Sequence, residues 1–467
     1  MLYYLFTWLH ENGLPGSGMF QYISFRSALA FVIALIISIW IGKYFINFLK
    51  KKQLGESTRD LGLAGEKEKD GTPTMGGLII IAAILIPALL LCKLHNIYIL
   101  LMIFTTVWLG ILGFCDDYLK YKARKEREKE IARLKAINDL AGIEKLKVKS
   151  DKDGISPRAK LAGQIILGLL VGAVVYFHPD AKICEKADTK NAITPIESAI
   201  QISNSDVVNT HNVFDAPHHS TKTTIPFVKN NEFDYAWFTR WLGDETGKWS
   251  FIVYILIVVF IIAAVSNGSN LTDGLDGLAT GTTSVIAVGI ALLAYVSGNV
   301  IFANYLNIMY LPNIGELVIF ISAVIGGCIG FYWWNCYPAQ VFMGDTGSLT
   351  LGGIVAVSCV IIRKELLIPI LCGIYLAEAV SVLIQRYVFK FRKKRHGLEY
   401  ARAHRAFLMT PLHHHFQKKY QIKFQNKYSD ESIQNLFVGR YESKIVQRFI
   451  VIGLLLAVLT LVTLKVR

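Results

Sequence analysis

The feature that most constrains this chain is the recurrence of long, uncharged apolar runs, among them Ala28 to Ile41, Leu78 to Leu91, Phe251 to Val265 and Phe449 to Val462. A bilayer core offers no water to backbone amides and carbonyls, so segments that cross it must be helical. A crossing takes roughly 20 residues, and small, weakly polar flanks complete the shorter runs. The sequence predicts about ten transmembrane helices, near 24–48, 76–94, 97–114, 158–177, 250–265, 280–297, 315–334, 348–362, 366–386 and 448–464. The expected fold class is all-α, a polytopic integral membrane protein organised as a single transmembrane domain.

Charge orients these spans. The chain carries 49 Lys and Arg against 35 Asp and Glu. In a soluble protein that balance would suggest nucleic acid as a partner. Here the basic residues lie in loops between apolar runs, and no separate soluble domain carries a basic stripe, which argues against nucleic acid. They fit orientation in, and contact with, an anionic lipid bilayer. The loops 49–75, 115–157, 266–279, 335–347 and 387–447 hold most of the Lys and Arg and are assigned to the cytoplasm. Both termini and the long insertion 178–249 then lie outside. That insertion is rich in Asn, Thr, Ser and His, which fits a small cap or partial disorder. Residues 119–152 interleave opposite charges, as a solvated amphipathic helix does. The seven cysteines are scattered with no CxxC, which indicates neither a disulfide framework nor zinc. Residues 1–23 contain no Lys or Arg and read as an interfacial segment rather than a cleavable signal peptide.

Acidic residues at membrane depth are costly and mark function. Asp116 and Asp117 end the third span, Asp273 and Asp276 follow the fifth, and Asp345 follows the seventh. All five fall on the cytoplasmic side, in Gly-containing turns. A lone Asp at a helix end is ordinarily a cap. Several carboxylates converging at one depth repel one another unless a cation neutralises them, and oxygen-only ligands suit Mg2+ holding phosphate oxygens. Asp273 and Asp276, three residues apart, would face the same way on a helix. The turn Gly71-Thr72-Pro73-Thr74-Met75-Gly76-Gly77 follows Lys67 and Lys69. It reads either as the start of the second span or as an amide and hydroxyl cradle for phosphate beside Lys69. His413, His414 and His415 follow Pro411. Adjacent side chains on a helix diverge, so the three cannot share one metal comfortably. They are either solvated or, beside Arg402, His404 and Arg405, contacts for a sugar or phosphate.

Together, Lys69 to Gly77, Gly113 to Tyr118, Ser266 to Ala279, Asn335 to Gly353, Met409 to Phe416 and the terminal Leu464-Lys465-Val466-Arg467 resemble the polyprenyl-phosphate N-acetylhexosamine-1-phosphate transferase superfamily. The likeness is closest to its phospho-N-acetylmuramoyl-pentapeptide-transferase branch. The resemblance implies a cytoplasm-facing active-site cleft in the bacterial inner membrane, and a homodimer. It implies that UDP-N-acetylmuramoyl-pentapeptide reacts with undecaprenyl phosphate, with Mg2+, to give lipid I and UMP. It assigns Asp116, Asp117 and Asp345 as the essential acidic residues, with Asp345 the Mg2+ ligand. It assigns Asn270, Asp273 and Asp276 to the nucleotide site, and Asn335 and Phe342 to a uracil pocket where Phe342 stacks. Lys69, Thr74, Lys160, Gln164, His413 and His414 match further cleft positions. Physical chemistry agrees, because phosphoryl transfer asks a protein mainly for positioning and charge neutralisation. Asp116 or Asp117 would take the proton of the lipid phosphate, and attack by an Asp to form a covalent intermediate is the alternative route.

The chain is longer than that family's usual members, in 178–249, 119–152 and around 396–403 and 421–439, without interrupting a motif. A sister enzyme transferring N-acetylglucosamine-1-phosphate would share the Asp motifs, and Pro411 to Phe416 favours the muramoyl branch. A secondary transporter would place its carboxylates near the bilayer midplane, often in inverted repeats. Here they gather at one surface and no repeat is visible.

Overall fold

Each apolar run folds as a helix, because only a helix pairs all of its backbone within one segment. The computed structural model describes residues 1–51, 69, 71–137, 154–186, 214–228, 232–241, 243–244, 247–426 and 431–465. The helices in chain order are α1 (Leu2–Glu11), α2 (Ile23–Lys51), α3 (Gly77–Leu91), α4 (Ile97–Ala136), α5 (Pro157–Phe177), α6 (Ala236–Trp241), α7 (Ser250–Thr272) and α8 (Leu278–Ser297). They continue as α9 (Val300–Leu306), α10 (Gly315–Asn335), α11 (Gly344–Ile361), α12 (Ile368–Leu371), α13 (Gly373–His396), α14 (Leu398–Ala403), α15 (Leu412–Gln425) and α16 (Glu431–Thr463). Among the described residues the two strands, β1 (Lys222–Thr224) and β2 (Glu232–Asp234), form one antiparallel hairpin. The fold is therefore all-α and polytopic.

Among the described residues, eight helices are long and apolar enough to cross a membrane: α2, α4, α5, α7, α8, α10, α11 and α16 from Tyr441. The other two expected spans differ from simple crossings. The one expected at 76–94 is the 15-residue α3, and the one expected at 366–386 is broken at Cys372, where α12 and α13 meet at 79°.

The helix at the centre is α11, in which every residue from Thr346 to Ile361 is buried. It packs chiefly on α4 and α7. Beside it, α2 lies along α10. The buried residues of α2 recur every four positions, as Arg26, Ala30, Ala34, Ser38, Gly42 and Ile46. Such a stripe of small side chains lets backbones approach closely, which drives helix association in lipid. The Ser38 hydroxyl donates to the Gly327 carbonyl at 3.1 Å, and the Trp334 indole donates to the Ile39 carbonyl at 3.2 Å. One end of this contact is closed by a buried pair: Arg26 Nη1 and Nη2 donate to Glu316 Oε2 and Oε1 at 2.8 and 2.7 Å. Arg26 Nη1 also reaches the Leu91 carbonyl at the end of α3, at 3.0 Å.

The far end of α11 carries Arg363, Lys364 and Glu365, all buried. Part of the 178–249 insertion covers them. The Thr224 amide donates to the Arg363 carbonyl at 3.0 Å, Lys364 Nζ donates to Thr224 Oγ1 at 2.6 Å, and Thr223 Oγ1 donates to Glu365. The hairpin thus adds polar partners for Lys364 and Glu365, whose burial unpaired would be costly. The sequence leaves a small cap or partial disorder open for this insertion; its described part includes this hairpin, and residues 187–213 lie outside the described ones. The charged stretch 119–152 continues α4 as helix to Ala136, and residues 138–152 likewise lie outside.

Glu316→Ala leaves the Arg26 guanidinium buried without its carboxylate, a loss of about 3–5 kcal/mol where buried pairs have been broken. The purified variant is expected to melt clearly below wild type. An unchanged midpoint in a thermal-shift measurement would show that the pair does not hold α2 against α10.

Candidate active site

The start of α11 organises the site. Asp345 is its second residue, so it lies in a helical turn rather than in a loop before the eighth span. The first amides of a helix have no partner within it. Here Asp117 supplies one: Asp117 Oδ1 accepts from the Asp345 amide at 3.1 Å, and Oδ2 accepts from the Thr346 amide and hydroxyl at 2.9 and 2.6 Å. Asp116 and Asp117 close the apolar part of α4, which runs on for about another five turns beyond them, at 3.6 residues per turn, into the charged stretch read as a solvated helix. Gly113, one turn earlier, is where α4 touches the α11 start, since a Cβ there would overlap the Asp345 carbonyl.

Asp116, Asp117 and Asp345 each offer an oxygen, and these atoms lie within 4.8 Å of one another. Two ammonium groups enter the cluster. Lys120 Nζ is 2.7 Å from Asp116 Oδ2 and 3.2 Å from Asp345 Oδ2. Lys160 Nζ is 2.7 Å from Asp116 Oδ2 and also contacts Asp345. Asp116 Oδ1 accepts from the Ile155 amide at 2.7 Å. Three carboxylates thus converge on a locus that already attracts cations, and an all-oxygen donor set of this kind fits Mg2+.

The loop between α10 and α11 links this cluster to a second one. Its Phe342 amide donates to the Pro73 carbonyl at 2.8 Å, while the Gly76 and Gly77 amides donate to the Phe342 and Met343 carbonyls, both at 2.9 Å. The amides at the α3 start are therefore committed to this loop and do not form the phosphate cradle weighed from sequence. Thr74 and Phe342 are half-buried. Asn335 is buried and ties the loop to the next turn: its Oδ1 accepts from the Gly277 amide at 3.2 Å and the Thr280 hydroxyl at 3.1 Å, and its Nδ2 donates to the Val341 carbonyl at 2.9 Å.

In the second cluster, Asp276 Oδ2 accepts from the Ala339 amide at 3.0 Å, and Asp276 Oδ1 pairs with Lys69 at 2.8 Å. Asp273 and Asp276 do not share a helix face. They occupy the turn between α7, which ends at Thr272, and α8, which starts at Leu278. Asp276 is buried and Asp273 half-buried, as is Asn270 on the last turn of α7. Lys69 also pairs with Glu442 of α16 at 2.9 Å. Burial alone would lower the Lys69 pKa, but Glu442 and Asp276 outweigh it and raise the pKa.

The histidines sit on the first turn of α15 and meet different partners. His413 is buried against Glu378 of α13: Nδ1 is 3.1 Å from Oε2, and the His413 amide donates to Oε1 at 3.2 Å. Its ring packs on Gly274, where a Cβ would overlap Nε2. His414 Nδ1 is 2.9 Å from Gln417 Oε1, and His415 Nδ1 accepts from the Leu408 amide at 3.2 Å. Gln164 is set apart from these groups. It is buried between α5 and α7, donating to Ser266 Oγ at 3.3 Å and accepting from Asn267 Nδ2 at 2.8 Å, so it ties helices together.

Sequence reasoning passed over Lys120, Glu378, Gln417 and Glu442. Lys120 was visible as the i+4 partner of Asp116. Glu378, an acid inside the ninth expected span, met the same criterion that singled out the aspartates. Gln417 is the i+3 partner of His414 on α15, whereas Glu442 carries no local signal, because Lys69 and Gln417 lie far along the chain.

Two sequence patterns match this region: Glycosyl transferase family 4 over residues 220–363, and the first signature of phospho-N-acetylmuramoyl-pentapeptide-transferase over residues 69–81. The chain is 49% identical over 470 residues to a phospho-N-acetylmuramoyl-pentapeptide-transferase of Flavobacterium johnsoniae, covering all of both chains. One from Parabacteroides distasonis is 49% identical over 467 residues, and one from Bacteroides fragilis is 46% identical over 475, again at full coverage of each. The added length of this chain is thus shared with these relatives. With such identity from end to end, the chain belongs to the phospho-N-acetylmuramoyl-pentapeptide-transferase family.

Proposed function

We infer that this chain transfers phospho-N-acetylmuramoyl-pentapeptide from its UDP-activated form to undecaprenyl phosphate, releasing UMP and forming lipid I for peptidoglycan. The observation that carries the reading is the full-length identity to transferases of that name. The carboxylate cluster supports the chemistry. In this reading an oxygen of the lipid phosphate attacks the β-phosphorus of the UDP-sugar. The bond from that phosphorus to the UMP oxygen breaks, and UMP departs. Asp345, with Asp116 and Asp117, would hold Mg2+, which supplies neutralising charge to the diphosphate.

The chain's own residues divide the remaining work. Asp117 is bonded to peptide amides that no substrate displaces, so it fixes the α11 start and the aim of Asp345. Asp116 is held on one oxygen by two lysine ammoniums, which can turn to incoming phosphates and free it. Asp116 is then the base that takes the lipid phosphate proton. Lys120 and Lys160 steer both phosphates, and Lys69 with Asp276 and the Asn335-braced loop holds the nucleotide end. The enzyme sits in the bacterial inner membrane with this site toward the cytoplasm, where UDP-sugars are made, and with 178–249 outside.

Purified enzyme given undecaprenyl phosphate and Mg2+ is expected to release UMP from UDP-N-acetylmuramoyl-pentapeptide and far less from UDP-N-acetylglucosamine. Chelation should stop turnover and Mg2+ restore it, and Asp345→Asn should abolish it in a normally inserted protein. Preference for the second sugar would assign the chain to the sister activity. Full turnover by Asp345→Asn would remove Asp345 as the metal ligand.

Aromatic stacking on a base is worth about 1–3 kcal/mol. Phe342→Ala should therefore raise KM for the UDP-sugar about tenfold, and an unchanged KM would reduce Phe342 to packing. The orientation has its own test. In intact cells a membrane-impermeant maleimide should label Tyr305→Cys on α9 and miss Lys393→Cys on α13, and the reverse pattern would put the site on the wrong side.

A further inference from the structure

Glu442 is the buried acid that the transfer reading leaves without a task. It lies where α16 enters the membrane and is 2% exposed. A carboxylate so buried needs a compensating charge, and Lys69 Nζ provides it, 2.9 Å from Oε2. The other oxygen, Oε1, accepts from Gln417 Nε2 at 2.6 Å.

The rest follows from donor and acceptor chemistry. An ionised carboxylate accepts hydrogen bonds and cannot donate them. The Gln417 amide must therefore turn its nitrogen to Glu442, which leaves its oxygen toward His414 Nδ1, 2.9 Å away. That oxygen also only accepts, so His414 Nδ1 must carry the proton. In a neutral imidazole the other nitrogen then holds the lone pair. His414 is neutral at pH 7: burial pushes its pKa down to about 4, with His413 and Lys69 adding to the effect.

We propose that Glu442 is a positioning residue that sets the tautomer of His414 through Gln417, making His414 Nε2 a hydrogen-bond acceptor for the substrate. The proposal rests on the transfer reading. Its consequence is specific. A UDP-sugar offers donors only at the uracil N3–H, its hydroxyls and its amides, while the diphosphate oxygens only accept. His414 therefore reads an N–H or O–H group and not the diphosphate, which departs from the sequence expectation of imidazoles donating to phosphate or sugar. The same carboxylate anchors Lys69, so the cation and the acceptor of this cluster are set by one residue.

The test uses the full-length enzyme in detergent with 15N-labelled histidine, the His414 signals being assigned with His414→Asn. Wild type should show His414 protonated at Nδ1. Gln417→Leu leaves the Lys69–Glu442 pair in place while cutting the relay. It should mix the tautomers and raise KM for UDP-N-acetylmuramoyl-pentapeptide about tenfold, the size of one lost hydrogen bond, with kcat changed less than about threefold. Glu442→Gln should do the same and, by releasing Lys69, raise KM further. Nε2 protonation in wild type, or an unchanged tautomer or KM in Gln417→Leu, overturns the proposal even if Glu442→Gln fails to fold. The tautomer measurement needs no turnover. A preference for another UDP-sugar would sink the transfer reading and leave the relay standing.

Discussion

The hydrogen bonds from the first amides of α11 to Asp117 are the interaction on which the rest of the site depends. A helix that begins among other helices at the membrane surface exposes donors with nothing to bond. Its positive dipole end also favours an anion. Asp117 answers both demands from the middle of α4, and it does so because α4 comes close enough at Gly113. Once that contact forms, Asp345 has no freedom of placement. The loop before it is then fixed against the turn at Pro73 to Gly77, and so is the start of α3.

Two clusters of opposite charges result, and they handle charge differently. Around Asp116 and Asp345 the carboxylates outnumber the lysines, and two mobile ammoniums share one pair of oxygens. Such a site welcomes a further cation and can exchange partners as phosphates arrive. Around Lys69 the carboxylates also outnumber the ammonium, two to one, but both are buried and each has a further donor, the Ala339 amide or the Gln417 side chain. That arrangement is suited to holding shape.

Much of this architecture is legible in the sequence. Of the ten expected spans, the apolar runs located the eight helices long and apolar enough to cross, because lipid enforces helix wherever charge is absent over enough residues. The same logic located Asp116, Asp117 and Asp345, whose convergence the structure displays. What sequence could not carry was anything decided by a partner from another helix. Asp116 and Asp117 were visible at the end of an apolar run, but that Asp117 bonds the first amides of α11 depends on a helix far along the chain. The break at Cys372 lies between Pro369 and Gly373, local signals that the continuous apolar run masked. Gln164 is assigned to the cleft by the family resemblance alone, and its bonds to Ser266 and Asn267 on another helix carry no signal in the sequence. Glu442 acquires meaning only from Lys69, which precedes it by most of the chain.

The central helix is fastened at both ends. Its first amides are bonded to Asp117, and just past its last turn Arg363, Lys364 and Glu365 are gripped by the β1 strand and by Tyr254, over whose ring the Arg363 guanidinium lies at 4.7 Å. An axial slip by a single residue, about 1.5 Å, would pull polar partners apart at opposite faces of the membrane together. α11 is mechanically a strut, unable to act as a piston. The elbow between α12 and α13 is different: the chain turns there by 79°, and the corner is held locally, by the Cys372 amide on the Ile368 carbonyl at 2.8 Å and the Leu376 amide on the Cys372 carbonyl at 3.0 Å.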